Sequence, residues 1–177
     1  MGIIILDRDG VINEDSDAFI KSVDEWVALP GSIEAMARLS RGGFDIHVAT
    51  NQSGIWRGLL TEDDLRAMHD KLRAELAGRG GAIASIRFCP HGPDEGCDCR
   101  KPRPGMYLRI AADAGVTLRN VPVVGDSLRD LLAAEAVGAM PILVRTGKGE
   151  RTLAAGGLPP GTRVFDDLAA VADALLC

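Results

Sequence analysis

The chain is poor in aromatic residues. It holds two tryptophans, one tyrosine and four phenylalanines among 177 residues, too few for a platform on which nucleic-acid bases would stack. It has no block of lysine or arginine, and its formal net charge is −5. Phosphate-backbone binding normally shows as a basic patch or arm, so no nucleic-acid partner is expected. No apolar run approaches the roughly 18 residues of a membrane helix. The first residues run directly into an apolar segment, with no basic stretch, long apolar core and small-residue cleavage site. A cytoplasmic protein without membrane contact is therefore expected, and a monomer, because no exposed apolar stripe stands out. Gly-x-Ser-x-Gly, a P-loop and a strand-linked Gly-x-Gly-x-x-Gly are all missing, so neither ATP nor a dinucleotide is indicated.

Against these absences stands one conspicuous stretch, Ile3-Ile4-Ile5-Leu6-Asp7-Arg8-Asp9-Gly10-Val11-Ile12-Asn13. Its apolar head is short, β-branched and without helical periodicity. That is the signature of a strand buried on both faces of a parallel sheet. Downstream, apolar strand-like segments alternate with helical ones: a helix over 33–41, a strand over 44–49, a helix capped by Thr61, a strand over 83–88, and a helix over 105–114. A strand over 121–124, a helix over 128–137, a strand over 141–144, a short helix over 150–155, a short strand at 164–165 and a terminal helix over 166–176 follow. This alternation predicts an α/β, Rossmann-like three-layer fold with one parallel sheet and right-handed crossovers. The length suits one domain over 1–177.

Polar residues gather at the ends of these strands, where open α/β sheets bind their ligands. Asp7 and Asp9 follow the first strand. One could serve as nucleophile and the other as general acid/base; alone, the pair could also be a solvated turn. Asp126 follows Val-Val-Gly at the fourth strand, where it could bind a cation or cap the next helix. Asp7, Asp9 and Asp126 together would make an oxygen-rich site suited to Mg²⁺. Asp130, one helical turn on, reads as a supporting or capping residue. Thr50 and Asn51 close the second strand, where they could hold phosphate oxygens or simply form a polar turn. Lys101 could offset charge on a transferring phosphoryl group, or be a solvated lysine. The segment Glu14 to Glu25 reads as a loop able to lie over the site. His47 and His69 have no evident partner.

Cys89, His91, Cys97 and Cys99 share eleven residues in the spacing C-x-H-x₅-C-x-C. Cys₃His is a closed, structural zinc set, with reduced thiols or disulfides as the alternatives. The loop of about 89–104 is rich in glycine and proline and has little apolar content. A metal would supply the ordering that a core otherwise gives, and would fix Arg100 and Lys101 near the acids. Cys177 reads as an inert terminal thiol.

Asp-Arg-Asp-Gly-Val at 7–11, Thr-Asn at 50–51, Lys101 and Gly-Asp at 125–126 resemble, in order, the four motifs of the haloacid dehalogenase (HAD) superfamily of phosphotransferases. More narrowly, Thr-Asn-Gln-Ser-Gly, Cys-Pro-His and Cys-Asp-Cys-Arg-Lys-Pro-x-Pro-Gly-Met resemble the zinc-containing D-glycero-D-manno-heptose-1,7-bisphosphate 7-phosphatase family. The resemblance implies a HAD-like domain without a large cap and a Mg²⁺-dependent phosphatase. Asp7 would form an aspartyl-phosphate, and Asp9 would protonate the leaving group and then activate water. Asp7, the Asp9 carbonyl and Asp126 would hold Mg²⁺, and Thr50 and Lys101 would stabilise the phosphoryl group. It further implies substrate contacts from Asp15, Ser16, Asp17, Ala18, Thr50, Asn51, Gln52, Ser53, Arg100 and Lys101. The product would be heptose 1-phosphate, on the way to activated heptose and lipopolysaccharide core. Two readings stay open beside it. One is a histidinol-phosphate phosphatase, whose cationic substrate end Asp15 and Asp17 could meet. The other is a non-catalytic, zinc-stabilised binding domain. Ser127 departs from relatives that carry lysine there, which removes a cation near the metal.

Overall fold

The computed structural model describes residues 2–177. Six strands, β1 (Gly2–Leu6), β2 (Phe44–Asn51), β3 (Ser85–Cys89), β4 (Pro122–Gly125), β5 (Met140–Val144) and β6 (Arg163–Phe165), form one sheet. Their order is β3-β2-β1-β4-β5-β6, and every neighbouring pair is parallel. The helices are α1 (Ser32–Arg41), α2 (Glu62–Ala77), α3 (Gly105–Ala114), α4 (Leu128–Ala136), α5 (Gly149–Ala155) and α6 (Leu168–Leu176).

Strand β1 explains the layering. Successive side chains of a strand point to opposite faces. Ile4 and Leu6 join one core with Met36 of α1, Met68 of α2 and Val171 of α6. Ile3 and Ile5 join the other with Met106 and Ile110 of α3 and Ala133 and Ala134 of α4. Both faces of the sheet are covered, which is why β1 reads as unbroken apolar sequence rather than an alternation.

The expected elements are all present, with shifted ends. β2 runs on through Asn51 instead of stopping at Ala49. β3 starts at Ser85 rather than Ile83. α6 starts at Leu168, because Asp167 is its N-cap and accepts from Ala170 N at 2.8 Å. Thr61 caps α2 in a reciprocal box with Asp64.

The strand order reverses direction between β1 and β4. Crevices at such switch points, beyond the carboxyl ends of the strands, are where this architecture binds ligands. Asp7 leaves β1 and Asp126 leaves β4, so the two acids flank that crevice. Two close approaches hold them there. Gly10 and Gly147 both have positive φ, and a Cβ on either would collide with the Asp126 carboxylate.

Candidate active site

The crevice opens as a cleft of about 240 Å³. At its floor, Lys101 is 2% exposed. Its ammonium donates to Asp7 Oδ1 at 3.0 Å, to Ala49 O at 2.8 Å, and to Asp130 Oδ1 at 2.6 Å. All three N–H bonds are therefore directed within the protein. Burial alone would favour the neutral amine, but Asp130 and Asp7 outweigh it and raise the group's pKa. Lys101 is held in place by its own main chain. Its N–H donates to Asn51 Oδ1 at 3.0 Å, and its carbonyl accepts from Asn51 Nδ2 at 3.1 Å. Asn51 thus lines the cleft but uses its side chain to clamp Lys101, rather than presenting it free to a ligand.

The Asp7 carboxylate is asymmetric. Its Oδ1 accepts from Arg8 N at 2.8 Å and from Lys101, whereas no donor among the described residues reaches Oδ2. Burial first, then the charge of Asp130, push Asp7 up to about 7 against the pull of Lys101. Asp126 is 3% exposed and accepts from Lys148 N at 2.8 Å. Burial, then Asp7 and Asp130, push it up to about 8. Asp130 is used on both sides. One oxygen meets Lys101, and the other accepts from Ser127 N at 3.1 Å and Ser127 Oγ at 2.9 Å.

Carboxylate oxygens of Asp7, Asp126 and Asp130 lie within 4.8 Å of one another. Buried like charges that raise each other's pKa are what a divalent cation relieves, because it favours the ionised form of each. Mg²⁺ takes one or two carboxylates with water and phosphate oxygens, so Asp7 and Asp126 fit it. Asp130, engaged by Lys101 and Ser127, fits as support.

The Asp9 side chain belongs to a different network. Arg8 Nε and Nη2 and Asn13 Nδ2 all donate to its Oδ1, at 2.9, 2.7 and 2.8 Å. Gln52 Nε2 donates to Oδ2 at 3.0 Å and also to Thr50 Oγ1 at 2.9 Å. Burial would raise the Asp9 pKa, but the Arg8 charge and the donors from Asn13 and Gln52 hold it below the usual carboxylate range.

The mouth of the cleft is cationic. Arg57, Arg100, Arg129 and Lys148 line it with Asp15, Ser16, Asp17, Ser53 and Phe19. Burial, then the neighbouring charge of Arg129, lower the Arg100 pKa. Among the described residues, no carboxylate pairs with Arg57, Arg100 or Arg129. The acids of the loop are already paired: Asp15 with Lys148 at 3.4 Å and Asp17 with Arg151 at 3.3 Å. Ala18 is exposed and lies outside the cleft lining, its N–H turned to Ser16 Oγ at 3.1 Å. The loop after β1 therefore borders the site as expected, except at Ala18.

The four zinc-type ligands also converge. Facing atoms of Cys89, His91, Cys97 and Cys99 lie within 4.8 Å of one another, and the histidine presents Nδ1. Cys89 ends β3 and is buried. Burial pushes up the Cys89 and Cys99 thiols, each crowded by its sulfur neighbours. Three thiols and an imidazole so packed match a tetrahedral zinc set. Cys99 is two residues from Lys101, and Arg100 Nη1 donates to His91 O at 3.4 Å, so the cluster anchors both cations.

Some groups were not signalled by the sequence. Arg8 carries no assignment in the sequence beyond its place in the motif, yet it is fully buried. His69 looked partnerless, yet its Nε2 lies 3.3 Å from Arg8 Nη1, and His47 Nδ1 lies 2.8 Å from Ser85 Oγ. Arg129 was also missed. Its one signal is its place in the first turn of the helix that follows Asp126.

Residues 98–171 match a family model described as HAD-hydrolase-like. A D-glycero-beta-D-manno-heptose-1,7-bisphosphate 7-phosphatase of Bordetella bronchiseptica is 60% identical over 176 residues, covering 99% of this chain and 98% of that one. Its counterpart in Pseudomonas putida is 58% identical over 176 residues, covering 99% and 100%. The crystal structure of the D,D-heptose 1,7-bisphosphate phosphatase from B. bronchiseptica, complexed with magnesium and phosphate, superposes with a TM-score of 0.98 at 60% identity over 99% and 98% of the two chains. That of the Burkholderia thailandensis enzyme gives 0.79 at 50% identity over 99% of each chain. The chain belongs to the HAD-like phosphatase family, within the branch of the D-glycero-beta-D-manno-heptose-1,7-bisphosphate 7-phosphatases.

Proposed function

We propose that residues 1–177 act as one Mg²⁺-dependent phosphomonoesterase that removes the 7-phosphate of D-glycero-D-manno-heptose 1,7-bisphosphate and leaves heptose 1-phosphate. The observation that carries the substrate choice is the trio Arg57, Arg100 and Arg129, on the same cleft as Asp7 and Lys101 and without carboxylate partners among the described residues. A second anionic group, remote from the reacting one, suits those guanidiniums. Histidinol phosphate, a cation at its far end, suits them poorly. The acids that could have met it, Asp15 and Asp17, are engaged by Lys148 and Arg151.

Asp7 attacks phosphorus through Oδ2, the oxygen left without a donor, while Arg8 N and Lys101 hold Oδ1. The P–O bond to C7 breaks as the Asp7–phosphate bond forms, and Asp9 gives its proton to the departing alkoxide. Water then attacks the same phosphorus with Asp9 as base, releasing inorganic phosphate and restoring Asp7. The donors around Asp9 favour its ionised form, which is the form needed in the second half. Asp9 takes up a proton as the anionic substrate arrives beside it. Bound Mg²⁺, held by Asp7, the Asp9 carbonyl and Asp126, supplies neutralisation of charge on the phosphoryl oxygens. Lys101 adds a fixed positive charge, and Thr50 a hydroxyl, at the same group. Zinc at Cys89, His91, Cys97 and Cys99 takes no part in bond making.

A panel of phosphate esters with Mg²⁺ tests the reading. Heptose 1,7-bisphosphate should give the highest kcat/KM, and phosphorus NMR should find only the glycosyl phosphate remaining. A higher kcat/KM for histidinol phosphate would reverse the choice. Turnover by Asp7→Asn at the unchanged rate would remove Asp7 as nucleophile.

A further inference from the structure

Arg8 and His69 are among the buried polar side chains to which the proposed reaction gives no task. Arg8 folds back on its own neighbour, so that Nε and Nη2 converge on Asp9 Oδ1 at 2.9 and 2.7 Å. Its remaining arm, Nη1, points to α2. There it meets His69 Nε2 at 3.3 Å and Met68 Sδ at 3.9 Å. A guanidinium nitrogen can only donate. The imidazole nitrogen facing it is therefore the unprotonated acceptor, and the ring proton sits on Nδ1. Burial, then the charge of Arg8, keep this ring neutral by lowering its pKa to about 3. Without His69, the buried arm would retain only a thioether, a weak acceptor.

We propose that His69 is a positioning residue for the proton-transfer step: by accepting from Arg8 Nη1 it fixes the guanidinium that in turn fixes the Asp9 carboxylate. The chain His69–Arg8–Asp9 joins α2 to the end of β1 across a sequence separation of 61 residues. It acts through orientation and does not touch substrate. This inference rests on the reading of Asp9 as the residue that exchanges a proton with the leaving group.

Leaving-group dependence tests it. An alkoxide leaving from C7 needs a proton in the transition state, whereas the nitrophenolate of p-nitrophenyl phosphate leaves without one. In His69→Leu, kcat/KM for heptose 1,7-bisphosphate should fall by about 10-fold or more, while that for p-nitrophenyl phosphate should stay within about twofold. His69→Gln, which can offer an oxygen near the position of Nε2, should restore both values. His69→Asn, too short to reach Arg8, should behave like His69→Leu and keeps the test open if the leucine variant folds poorly. Equal losses on the two substrates, no loss on either, or no rescue by glutamine would each overturn the proposal. Asp9→Asn on the same pair separates the two readings. If it hydrolyses the heptose bisphosphate normally, the role of Asp9 is wrong. If it is inactive on that substrate while His69→Leu is indistinguishable from the unaltered protein, only the role of His69 is wrong.

Discussion

Lys101 sits where two buried carboxylates would otherwise repel each other. Its removal leaves Asp7 and Asp130 without their shared counter-charge. Lys101→Ala is expected to lower the unfolding free energy of the metal-free protein by about 3 kcal/mol. Its kcat should fall by about 100-fold, since the charge facing the transferring phosphoryl group is gone. Urea unfolding and steady-state rates check the two effects. His69 gives a pH signature of its own. The unfolded chain takes up a proton on this ring at its ordinary value of 6.5, whereas the folded chain does so only at about 3. For this group the unfolded state thus binds more protons within that window, and the ring's contribution to stability falls as the pH drops through it. At pH 5 the loss from this one group is about 2 kcal/mol. The melting temperature of His69→Gln should rise relative to that of the unaltered protein as the pH falls from about 7 to 5. An unchanged acid slope would show that the ring titrates normally in the fold. The burial of Arg8 and its partnership with His69 could not be read from the sequence, because both depend on how closely α2 approaches the end of β1. Asp7, Asp126 and Lys101 could be, because each follows an apolar strand or a dense motif that few other structures would explain.

At the scale of elements, the segment 89–104 joins β3 to α3 and does two things at once. Its sulfurs and imidazole converge, and its last residues deliver Arg100 and Lys101 to the cleft. Metal analysis of the purified protein should find about one zinc per chain. Cys99→Ser should lose that zinc and lower kcat even with saturating Mg²⁺, because Lys101 lies two residues away. Zinc loss with full activity would break the link between cluster and catalysis. A second tether comes from β2. Asn51→Ala removes both hydrogen bonds to the Lys101 main chain, and should cost about 1–3 kcal/mol of stability along with activity. The strand-end pattern signalled Asn51 as a site residue but not that its side chain clamps the Lys101 main chain. Side-chain amides at strand ends bind backbone and ligand equally well, and only the return of the zinc loop decides between them. Helix boundaries were legible where a cap announced them, as at Thr61. They slipped at α6, where the helix expected over 166–176 starts only after Asp167, its N-cap.

For the whole molecule, the sheet order creates the crevice and the charge distribution divides it. Carboxylates occupy the floor at the β1–β4 switch point, and guanidiniums occupy the rim. The alternation of apolar segments made the parallel sheet legible; the rim was less so, since Arg57 and Arg129 come from segments far apart in sequence. The crowded floor predicts a coupling between protons and metal. Asp7 and Asp126 are raised to about 7 and about 8 in the metal-free fold, so the folded state holds protons that the unfolded state has lost. These two carboxyls should therefore cost the metal-free protein stability as pH rises from their unfolded value of 3.8 through about 7 and about 8, with the loss levelling off above that. Mg²⁺ should raise the melting temperature, and by more at the alkaline end, because the cation competes with those protons. A Mg²⁺ increment independent of pH would mean that these carboxylates do not hold it.

The claim on which the account turns is that Asp7 carries the phosphoryl group between its two transfers. The stereochemical course at phosphorus tests this directly, with a heptose 7-thiophosphate made chiral by oxygen isotopes and hydrolysed in isotopic water. Two in-line displacements, through Asp7 and then through water, each invert the centre and together give retention. Inversion would mean that water attacks the substrate directly and that Asp7 never bonds to phosphorus.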